Sequence, residues 1–188
     1  MFAQLDTKSV YSFMDSVVDL NTYVKRAKEL GYQSIGLMDR DNLYAAYHFA
    51  QLAIRNGLRP LIGTEANLFY EGRKIPFRLL AKNNQGYKNL MKLATELSSG
   101  QREFTYFSDY LNDIALILPS EDWEPGMSLG SEVFIGVRPE DAGKEFDYPV
   151  VPLHTVRYFE NADRSTIQTL HAISQNVSLS EVSICPMN

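Results

Sequence analysis

Apolar residues along the chain alternate between two spacings. Leu20, Tyr23, Val24, Ala27 and Leu30 recur at helical spacing and form one apolar stripe, with Asp19 or Asn21 as the cap and Gly31 as the stop. Ser34 to Met38 is instead a short, nearly continuous apolar run, the mark of a strand buried on both faces. A second helix carries Leu43, Ala46, Tyr47, Ala50, Ala53 and Ile54 and runs to Gly57. Phe2, Ala3 and Leu5 open a short strand before all of these, so the chain begins as βαβα.

The alternation continues. Leu61 to Tyr70 and Phe77 to Ala81 predict two paired strands, with Glu71-Gly72-Arg73-Lys74 as the turn. A helix bearing Tyr87, Leu90, Met91, Ala94 and Leu97 closes at Gly100. Ile114 to Leu118, Val133 to Val137 and Val150 to Leu153 read as strands, and Pro119 to Gly130 as loop. Thr166 to Ile173 lies on a last helix with Ile167, Leu170 and Ile173 inward. Strands alternating with helices of this length imply parallel βαβ units, and the most economical arrangement is an α/β barrel. Residues 1–188 fit one domain without linker or repeat, and Ser180 to Asn188 complete no element, which suggests a piece of a longer chain.

Composition narrows the function classes. A net charge of -5 removes the basic face that strong nucleic-acid binding by this segment would need. The apolar runs fall far short of the roughly 20 residues of a membrane helix, and the N-terminus lacks a signal-peptide pattern. One cysteine, Cys185, leaves no internal disulfide framework, and a cytoplasmic setting is expected. Tyr44, Tyr47, Phe49, Phe69 and Tyr70 suit packing better than base stacking, while the run Phe104-Thr105-Tyr106-Phe107 with Tyr110 and Leu111 reads as core or as a docking surface for a neighbouring domain.

The candidate chemistry lies at strand ends. Asp39 closes the apolar run from Gly36, and Glu65 closes Leu61-Ile62-Gly63-Thr64. In a barrel these ends converge on one face, where an enzyme of this architecture collects its ligands. Yet Asp39 is followed by Arg40, which cannot bind a metal.

Five segments, in order, resemble the PHP (polymerase and histidinol phosphatase) domain found at the N-terminus of bacterial DNA polymerase III alpha subunits. They are Phe2 to Ser12 with Met14-Asp15, Met38 to Tyr44, Asn56 to Glu65, Leu79 to Leu90, and Val150 to Tyr158. The resemblance implies a distorted (βα) barrel and, in members with an active site, metal ions held by histidines, aspartates and a glutamate for phosphoester hydrolysis. This chain departs from that pattern. The first-strand histidines correspond to Gln4, Asp6 and Lys8, the second-motif histidine to Arg40, and the histidine before Leu79 to about Pro76. The late Asp-x-His pair becomes Thr155-Val156-Arg157. Asp39 and Glu65 remain as possible ligands, with Asp6 as a substitute.

Lone carboxylates bind zinc or manganese weakly, so no metal and no catalytic residue is expected in this domain. His48, His154 and His171 read as structural or surface residues. Lys8, Arg40 and Arg157 are expected to replace metal charge by pairing with Asp6, Asp39 and Glu65, the rival being solvated surface charges. The resemblance implies a non-catalytic scaffold ahead of the catalytic domains of a replicative polymerase, which would use magnesium and contact the DNA. Expected partners are those following domains and other replisome subunits. The alternatives are a residual phosphoesterase or 3'-5' exonuclease using Asp6, Asp39, Glu65 and His154, and a replisome interaction module.

Overall fold

The computed structural model describes residues 3–130, 132–141 and 143–182. Phe2 and Cys185 lie outside them. In chain order the elements are β1 (Asp6–Thr7), α1 (Leu20–Glu29), β2 (Ser34–Arg40), α2 (Ala46–Arg55), β3 (Arg59–Tyr70), β4 (Arg73–Ala81) and α3 (Asn84–Ser98). A 3-10 helix over Phe104–Tyr110 follows, then β5 (Ile114–Pro119), β6 (Val133–Val137), β7 (Val150–Pro152), β8 (Thr155–Val156) and α4 (Asp163–Gln175).

Six strands form one sheet in the order β2-β3-β4-β5-β6-β7, and β1 pairs with β8 separately. The bridge between Gln4 and Ile35 joins β1 to the β2 edge. Because β7 and β8 are consecutive, the run 150–156 pairs with β6 at its start and with β1 at its end, which closes the ring. All pairings are parallel except those of β4, which is antiparallel to both β3 and β5. That hairpin strand is the distortion of an otherwise parallel barrel.

Local chemistry sets the helix limits. Asp19, not Asn21, caps α1 by accepting from the Thr22 N–H at 2.9 Å. Asn83 caps α3 by accepting from the N–H groups of Gln85 and Gly86. The helix α2 begins at Ala46, three residues later than the Leu43 start predicted, because Asn42 to Ala45 form the turn that leads into it. In α4 the inward residues are Ile167 and Ala172, while Ile173 is exposed. Six residues span well over one and a half turns, so Ile167 and Ile173 cannot share a face.

Two apolar layers cover the barrel from outside. Leu68, Phe77, Leu79, Leu116 and Leu118 pack against Leu90, Leu93 and Leu97 of α3 and against Phe104 and Phe107. Ile35 and Leu37 meet Tyr23, Val24 and Phe49 of α1 and α2. The aromatic run thus divides: Phe104 and Phe107 are core, while Tyr106 stays on the surface, as do Tyr44 and Tyr47. Gly36 permits the close approach of β1 to β2, since a Cβ there would lie 2.2 Å from the Leu5 carbonyl oxygen.

Candidate functional site

Strand register carries charge into the barrel. Residues directly opposite on neighbouring strands share a face, and the register sets Arg40 against Glu65 and Glu65 against Arg78. A row of cation, anion and cation therefore crosses β2, β3 and β4. One step along the same face, Met38, Gly63 and Leu80 form an apolar row. Met38 continues into a small interior cluster with Ile117 and Leu153. The barrel interior is thus apolar at one level and ionic at the next.

β1 supplies the centre of the ionic level. Lys8 is fully buried, and its Nζ lies 2.8 Å from Asp6 Oδ1, 3.0 Å from Glu65 Oε2 and 2.6 Å from the Met38 carbonyl oxygen. Asp6 Oδ1 meets the ammonium as an ion pair without full hydrogen-bond direction. Arg78 clamps the same two carboxylates, with Nε 3.0 Å from Asp6 Oδ2 and a terminal nitrogen 3.2 Å from Glu65 Oε2. Thr155 on β8 donates its hydroxyl to Asp6 Oδ2 at 2.7 Å. Arg40 reaches Glu65 Oε1 through Nε at 3.1 Å.

Toward solvent the network continues through Asp15. Arg40 binds its Oδ2 at 2.7 Å, while Arg157 and His171 Nε2 meet its Oδ1 at 3.0 and 3.1 Å. Gln4 ties the ring closure by donating to the backbone carbonyls of His154 at 2.6 Å and Asp6 at 3.1 Å.

Several expectations are corrected by this geometry. Arg157 pairs with Asp15, not with Asp39 or Glu65. Asp39 sits on the opposite face of β2 from Arg40, as strand alternation requires. Its carboxylate instead accepts from Ser9 N–H, Ser9 Oγ and Ser12 Oγ, each at 2.7 Å, and so pins the loop after β1. Near Pro76 the side chain that enters is Arg78, two residues on, while Pro76 offers its carbonyl to that guanidinium. His154 contributes only its backbone oxygen, and His48 is exposed. Arg78, Asp15 and His171 are site residues that the sequence reading missed. The signal for Arg78 was available: a lone cation between Phe77 and Leu79, within an apolar strand, must either face a partner or be exposed.

The electrostatics follow from contact. Burial alone would push both inner carboxyls up, but the cations win. Lys8 and Arg78 hold the Asp6 carboxyl well below the usual range, and they bring Glu65 down to about 2. Burial works against the charged form of Arg78, yet Asp6 and Glu65 raise it further above its already high value, and Asp15 and Glu65 do the same for Arg40. Close pairing with cations favours the ionised form of both carboxyls, the opposite of the raised pKa that a general acid needs near neutrality.

Residues 4–125 match the PHP domain family. The chain belongs to the PHP family. DNA polymerase III subunit alpha of Streptococcus pyogenes serotype M1 is 46% identical over 186 residues, which is 98% of this chain and 18% of that protein. The same-named protein of Bacillus subtilis (strain 168) is 33% identical over 126 residues, 64% of this chain. The PHP chain thus spans about a fifth of the length of these curated relatives. A crystal structure titled as a putative metal-dependent phosphoesterase from Bifidobacterium adolescentis shares 18% identity, with a TM-score of 0.43 over 50% of this chain and 32% of its own.

Metal ions are implied by PHP members that keep their histidines, and the residues present here do not fit them. The Lys8 ammonium takes the point where Asp6 and Glu65 converge. Both carboxylates also receive a guanidinium, so cations already stand where a metal ion would have to approach them. Among the described residues no group of three or more His, Cys, Asp or Glu side chains is placed to hold a metal ion.

Proposed function

We propose that this chain is a non-catalytic, scaffolding PHP domain of a bacterial replicative DNA polymerase, the DNA polymerase III alpha subunit. The observation that carries the reading is the buried lysine at the convergence of Asp6 and Glu65, together with the 46% identity to that subunit over nearly the whole chain. A polarised water needs an exposed Lewis acid or a free base. The inner network offers neither, because Lys8 and Asp6 are sealed from solvent.

On this reading the parent protein carries out template-directed synthesis with magnesium, and its catalytic acids and DNA contacts lie in domains beyond these residues. Those domains are the principal partner of the PHP chain. A cytoplasmic setting accords with it. No helix of the described residues is long and apolar enough to cross a membrane.

Two measurements test the proposal. The purified chain, supplied with manganese or zinc, should not hydrolyse bis(p-nitrophenyl) phosphate; stoichiometric bound metal with turnover that vanishes in Glu65→Gln would establish the phosphoesterase reading instead. The parent polymerase lacking this domain should lose thermal stability and primer extension together. Retention of both would end the scaffolding role.

A further inference from the structure

Lys8 is a fully buried charged group whose contacts describe a binding site rather than a pair. The Lys8 ammonium nitrogen has three oxygen neighbours within 3.0 Å: it donates a hydrogen bond to the Met38 carbonyl and meets Asp6 and Glu65 as ion pairs. Each neighbour is fixed by something else. Asp6 is held by Arg78 and Thr155, Glu65 by Arg78 and Arg40, and Met38 by the β2–β3 ladder. The cage therefore does not depend on the lysine chain for its shape.

Charge and size define what such a cage accepts. The two carboxylates already face two guanidinium groups, so an ammonium leaves this inner group with one excess positive charge where a divalent metal ion would leave two. Contacts of 2.6 to 3.0 Å suit an ammonium nitrogen. The two carboxylate contacts, 2.8 and 3.0 Å, exceed the roughly 2.0–2.6 Å that zinc, magnesium or calcium requires from oxygen.

We propose that the oxygens of Asp6, Glu65 and Met38 form a recognition site for a primary ammonium ion, which Lys8 fills as a tethered ligand and which a free alkylammonium ion fills when that side chain is cut back. The reading rests on the ion-pair geometry and not on the polymerase assignment, so its failure leaves that assignment standing.

The test compares Lys8→Ala with Lys8→Met in this chain by thermal unfolding after refolding with each additive. Alanine leaves the space of a propylammonium ion, and methionine fills it with apolar volume. Lys8→Ala should unfold roughly 10 °C below wild type and regain most of that loss in propylammonium chloride. Propanol or sodium chloride at matched ionic strength should restore little, and Lys8→Met should not respond. Recovery by sodium chloride or manganese equal to that by propylammonium would overturn the proposal, as would an equal response of Lys8→Met. A Lys8→Ala chain that stays unfolded in propylammonium would overturn it as well.

Discussion

The inside of the barrel and the layer between the sheet and α3 are equally dry but are built from opposite materials. Outside, Leu79, Leu90, Leu93 and Phe107 pack within one apolar cluster, and many packings of similar volume would serve. Inside, Lys8, Asp6, Glu65 and Arg78 must meet in one geometry, since a buried charge without its partner costs several kcal/mol. The apolar layer supplies most of the driving force for folding. The ionic level contributes selectivity: it penalises every register in which Glu65 does not face both Arg40 and Arg78.

Four measurements would sharpen or break this contrast. Arg78→Met should cost about 3–5 kcal/mol in denaturant unfolding, because it strands two carboxylates; Leu93→Ala should cost about 2–5 kcal/mol through a cavity. Equal dependence of both losses on pH would erase the distinction. Of the two regions, acid should act on the ionic level. Asp6 and Glu65 are held low in the folded state, so their stabilisation is complete above the ordinary carboxylate range and fades as pH falls from 4.5 toward about 2 for Glu65. Wild-type stability should drop by a few kcal/mol across that window, on the order expected from linkage, whereas the Leu93→Ala decrement should stay constant.

Smaller effects are expected toward the rim. Asp39→Asn weakens three hydrogen bonds to the Ser9–Ser12 loop and should cost about 1–3 kcal/mol, with that loop exchanging its amide hydrogens faster. Arg26 and Glu160 pair at 2.6 Å with both side chains exposed. Their coupling in a double-mutant cycle should stay under about 1 kcal/mol; a value near that of Arg78→Met would show that burial is not what separates the two regions.

Much of this fold was legible before any coordinates. The helix and strand periods of α1, β2, β3 and α3 are strong, and their caps are local chemistry. The closing pair β1–β8 was not, since two-residue strands carry no period and their pairing is fixed by residues far along the chain. In the site, the placement of Lys8, Arg40 and Glu65 followed from strand ends and family resemblance. The role of Asp39 did not, because strand alternation decides its face and the resemblance treats it as a ligand. Arg78 was hidden by a two-residue offset in the resemblance, and Asp15 and His171 by their positions on a loop and a late helix.

The closure of the ring carries a consequence for how the chain folds as it is made. Asp6 on β1 takes a hydrogen bond from Thr155, 149 residues away, and its own strand has no parallel partner on that side until then. Contacts that distant form slowly and late. Until residues 150–156 are made, Asp6 lacks the hydrogen bond from Thr155 and β1 lacks its β8 partner. The apolar layers of α1 to α3 can assemble first around an open sheet. The ring closes only when residues 150–156 arrive, so its final pairing joins segments about 150 residues apart.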